Sequence, residues 1–444
     1  MFVYACYCLR TLFIHSYLSS AIAPTELKAI IAWLSKMVVD TDICGLKVGD
    51  QYPAHVMGII NLSPESFYEG SVTSPESALD VARKMVEDGA TFLDLGARST
   101  WRFSKPISKK EELDRLLPVL DSLEGDVDAV ISVDTMFSEI AEEALKRGAD
   151  IINDVSGFTV DPRMIEVVAD HDCPAVVMAS NKIPGDPLGM DAIIEALGSI
   201  IEAAGAGGIG PDNLILDPAI GRWTDEKLPI YDFETLDDFE RLKIFEKPLL
   251  AALSRKSFIG EVLGKTANDR LYGSLAAAAI AVHKGAHIIR THDVPETTDV
   301  VKLAGALRSR TSVVKEGRYE VSVLEVKTPQ DAGIAMRNLG ATRVGSQVMQ
   351  GKSIHLTLKI GNLTTTEALI IKQEMLSRGG DAALARDAVS HETESTDVLV
   401  MGTLLQFERL ARKLGGQARS LPLIAEMIRE CIANRTNLEY RYLR

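Results

Sequence analysis

Side chains able to bind or polarise a ligand recur at one kind of place in this sequence, at the ends of short apolar runs. Asn61 follows Val56–Ile60, Asp94 closes Thr91–Leu95 with Ser99 and Thr100 beyond it, and Asp134 and Thr135 follow Ala129–Val133. Asn153 and Asp154 follow Asp150–Ile152, and Asp217 follows Leu214–Leu216. Ser254, Arg255, Lys256 and Ser257 follow Pro248–Leu253, and Arg290 and His292 follow Ala286–Ile289. A single Asp in such a position is an ordinary helix cap. The series exceeds what capping needs, because a cap uses one acceptor whereas these positions supply donors, acceptors and cations together. Asp134, Asn153, Asp217 and Lys256 suit a flat heterocycle with several ring N–H groups and a carbonyl. Arg290 and His292 can hold a phosphate or diphosphate, helped by the free N–H groups of a helix N-terminus, and Arg255 and Lys256 add positive charge. Asn61 can coordinate a hydrated Mg²⁺ attached to that diphosphate, since this ion prefers oxygen ligands and keeps several waters.

The elements that must position these groups follow from the same runs. With Ala175–Met178 they number eight, each rich in Val, Ile and Leu, and amphipathic stretches such as Pro75–Asp88 and Ser138–Arg147 separate them. Continuous apolar character marks strands covered on both faces. The pattern predicts a (β/α)8 barrel of about 250 residues, whose strand C-termini build the active site. Ser74 before Pro75 reads as a helix N-cap, and Gly89, Gly148 and Gly285 read as helix ends. The last barrel helix is expected over Pro295–Leu307.

The domain reading is an N-terminal extension over 1–36, the barrel over 37–310, a linker over 311–318 and an α+β module over 319–444. In the module, His355–Ile360, Ala382–Ala385 and Val398–Met401 read as strands, and Leu404–Leu414 as a helix. Thr364–Arg378 also reads as a helix, with Thr364 and Glu367 spaced as a capping box and Gly379–Gly380 as its stop. Lys372, Arg378 and Arg386 are candidate ligand contacts there, although exposed helix charges are ordinarily solvated.

The 444 residues carry a net charge of −14, with 46% hydrophobic and 25% charged residues. Such a composition forms a sizeable core, and its charge opposes nucleic acid and anionic membranes, leaving small molecules as the expected partners. Phe2–Ala23 is apolar and ends in Ala21-Ile22-Ala23, but no basic residue precedes it and Arg10 interrupts it, so neither a signal peptide nor a membrane span is the preferred reading. The five cysteines form no paired framework, and Cys6-x-Cys8 lacks further metal ligands nearby, which favours a reducing cytoplasm. The alanine-rich segment Leu275–Val282 could pair two copies into a homodimer, or equally pack on the barrel.

At the strand ends the sequence resembles the dihydropteroate synthase family. The resemblance rests on Met57-Gly58-Ile59-Ile60-Asn61-Leu62-Ser63-Pro64-Glu65-Ser66-Phe67, Ser132-Val133-Asp134-Thr135 and Ile152-Asn153-Asp154-Val155-Ser156-Gly157. It continues through Asp217-Pro218, Ser254-Arg255-Lys256-Ser257-Phe258-Ile259-Gly260 and Arg290-Thr291-His292-Asp293-Val294. It implies a pterin-binding barrel that joins 6-hydroxymethyl-7,8-dihydropterin diphosphate to p-aminobenzoate, releasing diphosphate, with Mg²⁺ as cofactor. By that resemblance Asp134, Asn153, Asp217 and Lys256 bind the pterin, while Asn61, Arg290 and His292 take the diphosphate and metal. Asn61, Asp134, Lys256, Arg290 and His292 would carry the reaction. Phe67 and Thr100 would contact the aminobenzoate, and Ser257 joins the substrate-binding set. The resemblance says nothing about residues 1–36 or the C-terminal module.

Departures cluster on the second-substrate side. Where the family usually reads Gly-Gly-Glu-Ser-Thr-Arg-Pro-Gly, this chain has Gly96-Ala97-Arg98-Ser99-Thr100-Trp101-Arg102-Phe103. A usual His-Met becomes Met178-Ala179-Ser180, and Asp-Pro-Gly-Ile-Gly-Phe becomes Asp217-Pro218-Ala219-Ile220-Gly221-Arg222. Arg98, Trp101, Arg102 or Arg222 could accept a larger or more anionic arylamine, for example a ribosylated and phosphorylated aminobenzoate. Two other readings are a pterin-dependent methyltransferase acting with a corrinoid partner, which should lack the Arg290–His292 diphosphate site, and a non-catalytic pterin-binding regulator.

Overall fold

Eight short strands, all parallel, carry the polar strand ends: β3 (His55–Asn61), β4 (Phe92–Gly96), β5 (Val130–Asp134), β6 (Ile151–Asp154), β7 (Ala175–Met178), β8 (Leu214–Asp217), β9 (Leu250–Ala252) and β10 (Ile288–Thr291). They pair in the order β8-β7-β6-β5-β4-β3-β10-β9, and a parallel bridge between Leu216 and Leu249 joins the two ends into a closed barrel. The structure, a computed structural model, describes residues 39–64, 72–99, 104–308, 313–316, 319–324, 326–389 and 393–435. The strands are buried along nearly their whole length, because helices cover the outside and side chains fill the inside.

Local signals place the connecting helices. Ser108 caps Lys109–Leu123 by accepting from the Glu111 N–H at 3.1 Å. Ser74 does not cap. Pro75–Ser77 forms a 3-10 turn before the helix Ala78–Glu87, and the Ser74 hydroxyl lies 3.2 Å from that of Ser77. Gly89 turns the chain at φ +106°, where a Cβ would stand 2.8 Å from the Thr298 side chain, so only glycine suits both backbone and neighbour. The final barrel helix is Val294–Leu307.

A feature the sequence did not announce closes the barrel's lower end. Residues 40–49 form an antiparallel hairpin, β1 (Asp40–Ile43) with β2 (Leu46–Gly49). Its Ile43 and Val48 pack against Met57, Phe92, Val130, Ile151, Val176, Ile215 and Ile288, side chains near the strand N-termini. The hairpin covers that end among the described residues, and the cleft lies at the strand C-termini.

Within the stretch read as a linker, β11 (Val313–Glu316) pairs antiparallel with β12 (Tyr319–Ser322) at the start of the expected module. The pairing is cross-strand, which the lack of side-chain periodicity did not signal. The helix Pro329–Asn338 then docks on the barrel, with Ile334 in the barrel's own core cluster. Arg241 anchors it, donating to Asp331 at 2.9 and 3.1 Å, to Thr328 at 3.0 Å and to Asp191 at 2.5 Å. Beyond it lies a three-stranded antiparallel sheet, β13 (His355–Thr364), β14 (Asp381–Leu384) and β15 (Ser395–Thr403), ordered β13-β15-β14. Helices Thr365–Leu376, Leu404–Leu414 and Leu421–Asn434 cover it around Met375, Val398, Val400, Phe407 and Leu414. The Thr364/Glu367 capping box forms as expected. No helix among the described residues is long and apolar enough to cross a membrane.

Candidate active site

The cleft at the strand C-termini is lined by residues from most of the barrel strands and the loops that follow them, among them Asn61, Arg98, Ser99, Asp134, Asn153, Asp217, Trp223, Ser254, Lys256, Arg290 and His292. At its centre Arg290 on β10 donates from Nε to Asp94 Oδ2 at 2.6 Å and from Nη2 to Asp134 Oδ2 at 3.0 Å. Asp94 also accepts from the Ser132 hydroxyl at 2.6 Å and from Asn153 Nδ2 at 3.1 Å. These contacts tie β4, β5, β6 and β10 into one polar cluster. A carboxylate with no solvent exposure persists only when its oxygens are satisfied, and Asp94 meets that condition through three donors.

The electrostatics follow from burial. Burial raises Asp134 above its ordinary value; Arg290 opposes the shift, while Asp94 and Glu112 add to it. Burial likewise raises Asp217 against the pull of Lys256, and the Ala219 N–H holds its carboxylate at 2.7 Å. Lys256 is lowered by burial and held up chiefly by Asp217, with its ammonium 5.1 Å from the centre of the Trp223 ring. Burial would also lower Arg290, but Asp94 and Asp134 more than reverse it. The cleft therefore holds two cations among its carboxylates, Arg290 bonded to Asp94 and Asp134, and Lys256 drawn chiefly to Asp217.

Several expectations need correction. His292 is not a positive group, because burial and the neighbouring Arg290, Arg255 and Lys256 push it down to about 3. As a neutral imidazole, its Nδ1 lies 2.9 Å from the Ser254 hydroxyl. Arg255 does not line the cleft. Its fork is taken by Asp293 at 3.0 and 2.7 Å, and Nη1 by the Ala267 and Asn268 carbonyls. Ser257 starts the helix Ser257–Leu263 and is not among the lining residues. Arg222 is half-exposed, about 4 Å from Asp225 and Glu261, and also stands outside the lining. Phe67, Thr100, Trp101 and Arg102 lie outside the described residues.

Arg98 does reach the cleft, paired with the buried Glu112 and 5.0 Å from the centre of the Phe137 ring; Glu112 also takes the Thr135 hydroxyl at 2.8 Å. Asn61 turns its amide oxygen to the Ser63 N–H at 3.0 Å. Among the described residues no cluster of three or more His, Cys, Asp or Glu could hold a metal ion by itself.

Sequence reasoning placed Asp94 at a strand end without assigning it a partner, and gave no role to Ser132, Glu112, Trp223, Lys227 or Asp232. A signal existed for Asp94: a charge inside an apolar strand must find a partner, and the ends of the other barrel runs offer the cations Arg255, Lys256 and Arg290. Lys227 is fully buried, donating to the Ala219 carbonyl at 2.7 Å and the Gly185 carbonyl at 3.4 Å. Asp232, pushed up to about 6 by burial, accepts the Gly221 N–H at 2.8 Å. No local pattern betrays either, since both act through the folding of the loop after β8.

Comparison with known proteins agrees with this geometry. Residues 57–292 match the family model described as pterin binding enzyme. A dihydropteroate synthase of Synechocystis is 36% identical over 265 residues, covering 57% of this chain and 90% of the relative. A crystal structure of the Yersinia pestis dihydropteroate synthase with a sulfonamide drug is 34% identical, with a TM-score of 0.56, covering 60% of this chain and 98% of that one. A Coxiella burnetii dihydropteroate synthase in complex with pteroic acid is also 34% identical, at a TM-score of 0.54, covering 61% of this chain and 99% of that one. The matches leave the C-terminal module uncovered. Through its barrel, this chain belongs to the dihydropteroate synthase family of pterin-binding enzymes.

Proposed function

We propose that this chain is a dihydropteroate synthase, which condenses 6-hydroxymethyl-7,8-dihydropterin diphosphate with p-aminobenzoate or a modified arylamine and releases diphosphate. The observation that carries the reading is the single cleft in which Asp94, Asp134, Asn153, Asp217, Lys256 and Arg290 converge. In this reading Asp134, Asn153, Asp217 and Lys256 grip the pterin ring. Arg290 spends two of its five N–H donors on Asp94 and Asp134, and its Nη1 group faces no protein partner among the described residues, leaving it for the diphosphate.

As the C–O bond to the pterin methylene lengthens, its electron pair leaves with the diphosphate and positive charge grows on the carbon. Arg290 stabilises the leaving anion, and the buried Asp94 and Asp217 with the partly buried Asp134 stabilise the cation, each already in place before reaction. The arylamine nitrogen attacks that carbon and afterwards loses a proton. Neutral His292 can serve as a hydrogen-bond partner for the anion but brings no charge.

Asn61 lines the cleft and would be the residue to hold Mg²⁺, through the amide oxygen that here accepts the Ser63 N–H, since this ion prefers oxygen ligands. Bound there, the ion would offset charge on the leaving diphosphate. Pairing of two copies belongs to the same proposal, supported by exposed Tyr272, Ile280, Leu303 and Leu307 on adjacent helices.

The test is direct. The full chain is mixed with hydroxymethyldihydropterin diphosphate, Mg²⁺ and p-aminobenzoate, and diphosphate release is followed. Turnover with p-aminobenzoate or a substituted arylamine is expected. Tight pterin binding with no release from any arylamine would refute the synthase reading.

A further inference from the structure

The C-terminal module carries a cleft of its own. An open groove of about 570 Å³ is lined by Arg378, Arg409, Arg412, Lys413, Gly416 and Gln417. Arg409, Arg412 and Lys413 are exposed and share one face of the helix Leu404–Leu414, being three and four residues apart. Among the described residues none of these three side chains has a hydrogen-bond or ion-pair partner. Arg378 arrives from a different element, just past the helix Thr365–Leu376, and is fixed in place. Its Nη1 donates to Glu374 Oε2 at 2.7 Å and to Ser377 Oγ at 3.0 Å, while Gln406 holds its carbonyl at 2.8 Å. The Glu374 carboxylate is shared between two groove residues, Arg378 and Gln417, whose Nε2 donates to it at 3.3 Å.

A simpler explanation covers part of this. Cations in the last turn of a helix offset its negative end, which accounts for Arg412 and Lys413. It does not account for Arg409, a turn earlier, or for Arg378 facing the same groove from another element. Like charges at this spacing repel, and no carboxylate among the described residues forms an ion pair with any of the three, Glu408 on the same helix included. Such a concentration is also out of character for a chain of net charge −14.

We propose that this groove is a binding site for a small oligophosphate anion. Arginine forks and a lysine ammonium are the groups that bind phosphate oxygens best, and the volume is that of a small-molecule site. Three unrelieved cations call for a ligand with several clustered charges, which a single carboxylate lacks. A nucleic acid strand, by contrast, would meet the overall negative field of the chain. Of the module residues singled out from sequence, only Arg378 takes part, and Lys372 and Arg386 do not line the groove.

The probe is inorganic tripolyphosphate, titrated calorimetrically into the full chain carrying Arg290→Ala, so that the barrel cleft does not compete. One equivalent is expected to bind, with affinity falling as salt rises. Adding Arg409→Ala, Arg412→Ala and Lys413→Ala together is expected to weaken binding at least tenfold, and each alone by a smaller factor, with far-UV circular dichroism unchanged. The single variants keep the test decisive if the triple one misfolds. The proposal is overturned if the Arg290→Ala chain binds no tripolyphosphate, if the substituted chains bind as tightly as their parent, or if short single-stranded DNA binds the groove more tightly than tripolyphosphate.

Discussion

Replacing Lys227 with Met separates the stability of the barrel from the shape of its cleft. Lys227 has no solvent exposure, and burial pushes its ammonium from 10.5 down to about 8, with Asp232 and Asp217 opposing. That displacement corresponds to a cost on the order of 3 kcal/mol for keeping the charge inside. The sign follows: a lysine depressed in the fold weakens it below pH 8, and the loss is recovered as pH rises from about 8 through 10.5. Against that cost stand its two hydrogen bonds, to the carbonyls of Ala219 and Gly185. Leaving each carbonyl unsatisfied costs about 1–3 kcal/mol.

The two effects nearly cancel, so Lys227→Met is expected to change global stability little. Its local effect does not cancel. Lys227 holds the carbonyl of Ala219, a residue at a left-handed φ of +62°, and the N–H of the same residue, on the preceding peptide, donates to the Asp217 carboxylate. If the released loop regains its bound shape at a cost of about 2 kcal/mol, apparent pterin affinity falls roughly 30-fold. The assay pairs urea denaturation with KM for the pterin diphosphate and with the pH profile of kcat/KM. The wild type should lose pterin affinity more steeply above about pH 8 than the variant, in which Lys256, also lowered by burial, is the remaining cleft lysine. A variant with KM within twofold of wild type and an unchanged pH profile would refute the argument.

Other substitutions probe separate contacts. Arg290→Ala should lower turnover at least 100-fold through loss of leaving-group stabilisation; it also leaves Asp94 and Asp134 without their shared cation, so Asp134 should titrate still higher, which pH-dependent pterin binding would reveal. Arg241→Met leaves the fully buried Asp331 uncompensated, at a cost of about 3–5 kcal/mol, and calorimetry should show the helix Pro329–Asn338 and the module beyond it melting at lower temperature than the barrel. An unsplit, unshifted transition would contradict that role. His292 titrates near 3, so kcat/KM should show no inflection around pH 6.5 that disappears in His292→Gln.

Much of the fold was legible because a barrel strand has to be apolar on both faces. All eight runs became strands, with ends displaced by up to a few residues. The Thr364 capping box and the helix Leu404–Leu414 were equally legible, since the forces that set them act within one helical turn. The β1–β2 hairpin was not, because Ile43 and Val48 have a reason to be apolar only once eight strand ends surround them. The pairing of β11 with β12 was hidden for a related reason: its stability lies in cross-strand contacts.

The polar positions themselves, Asn61, Asp94, Asp134, Asn153, Asp217, Lys256 and Arg290, were determined by sequence, because strand periodicity alone sends every strand end to the same rim of the barrel. What each of them does was decided by tertiary structure. Asp94 and Arg290 stand 196 residues apart and become partners only when β4 and β10 flank β3. His292 reads as a cation in sequence and is neutral in the fold, since its charge depends on burial and on three neighbouring cations. Residue type is a local property, but pKa and hydrogen-bond partnership belong to the assembled cleft.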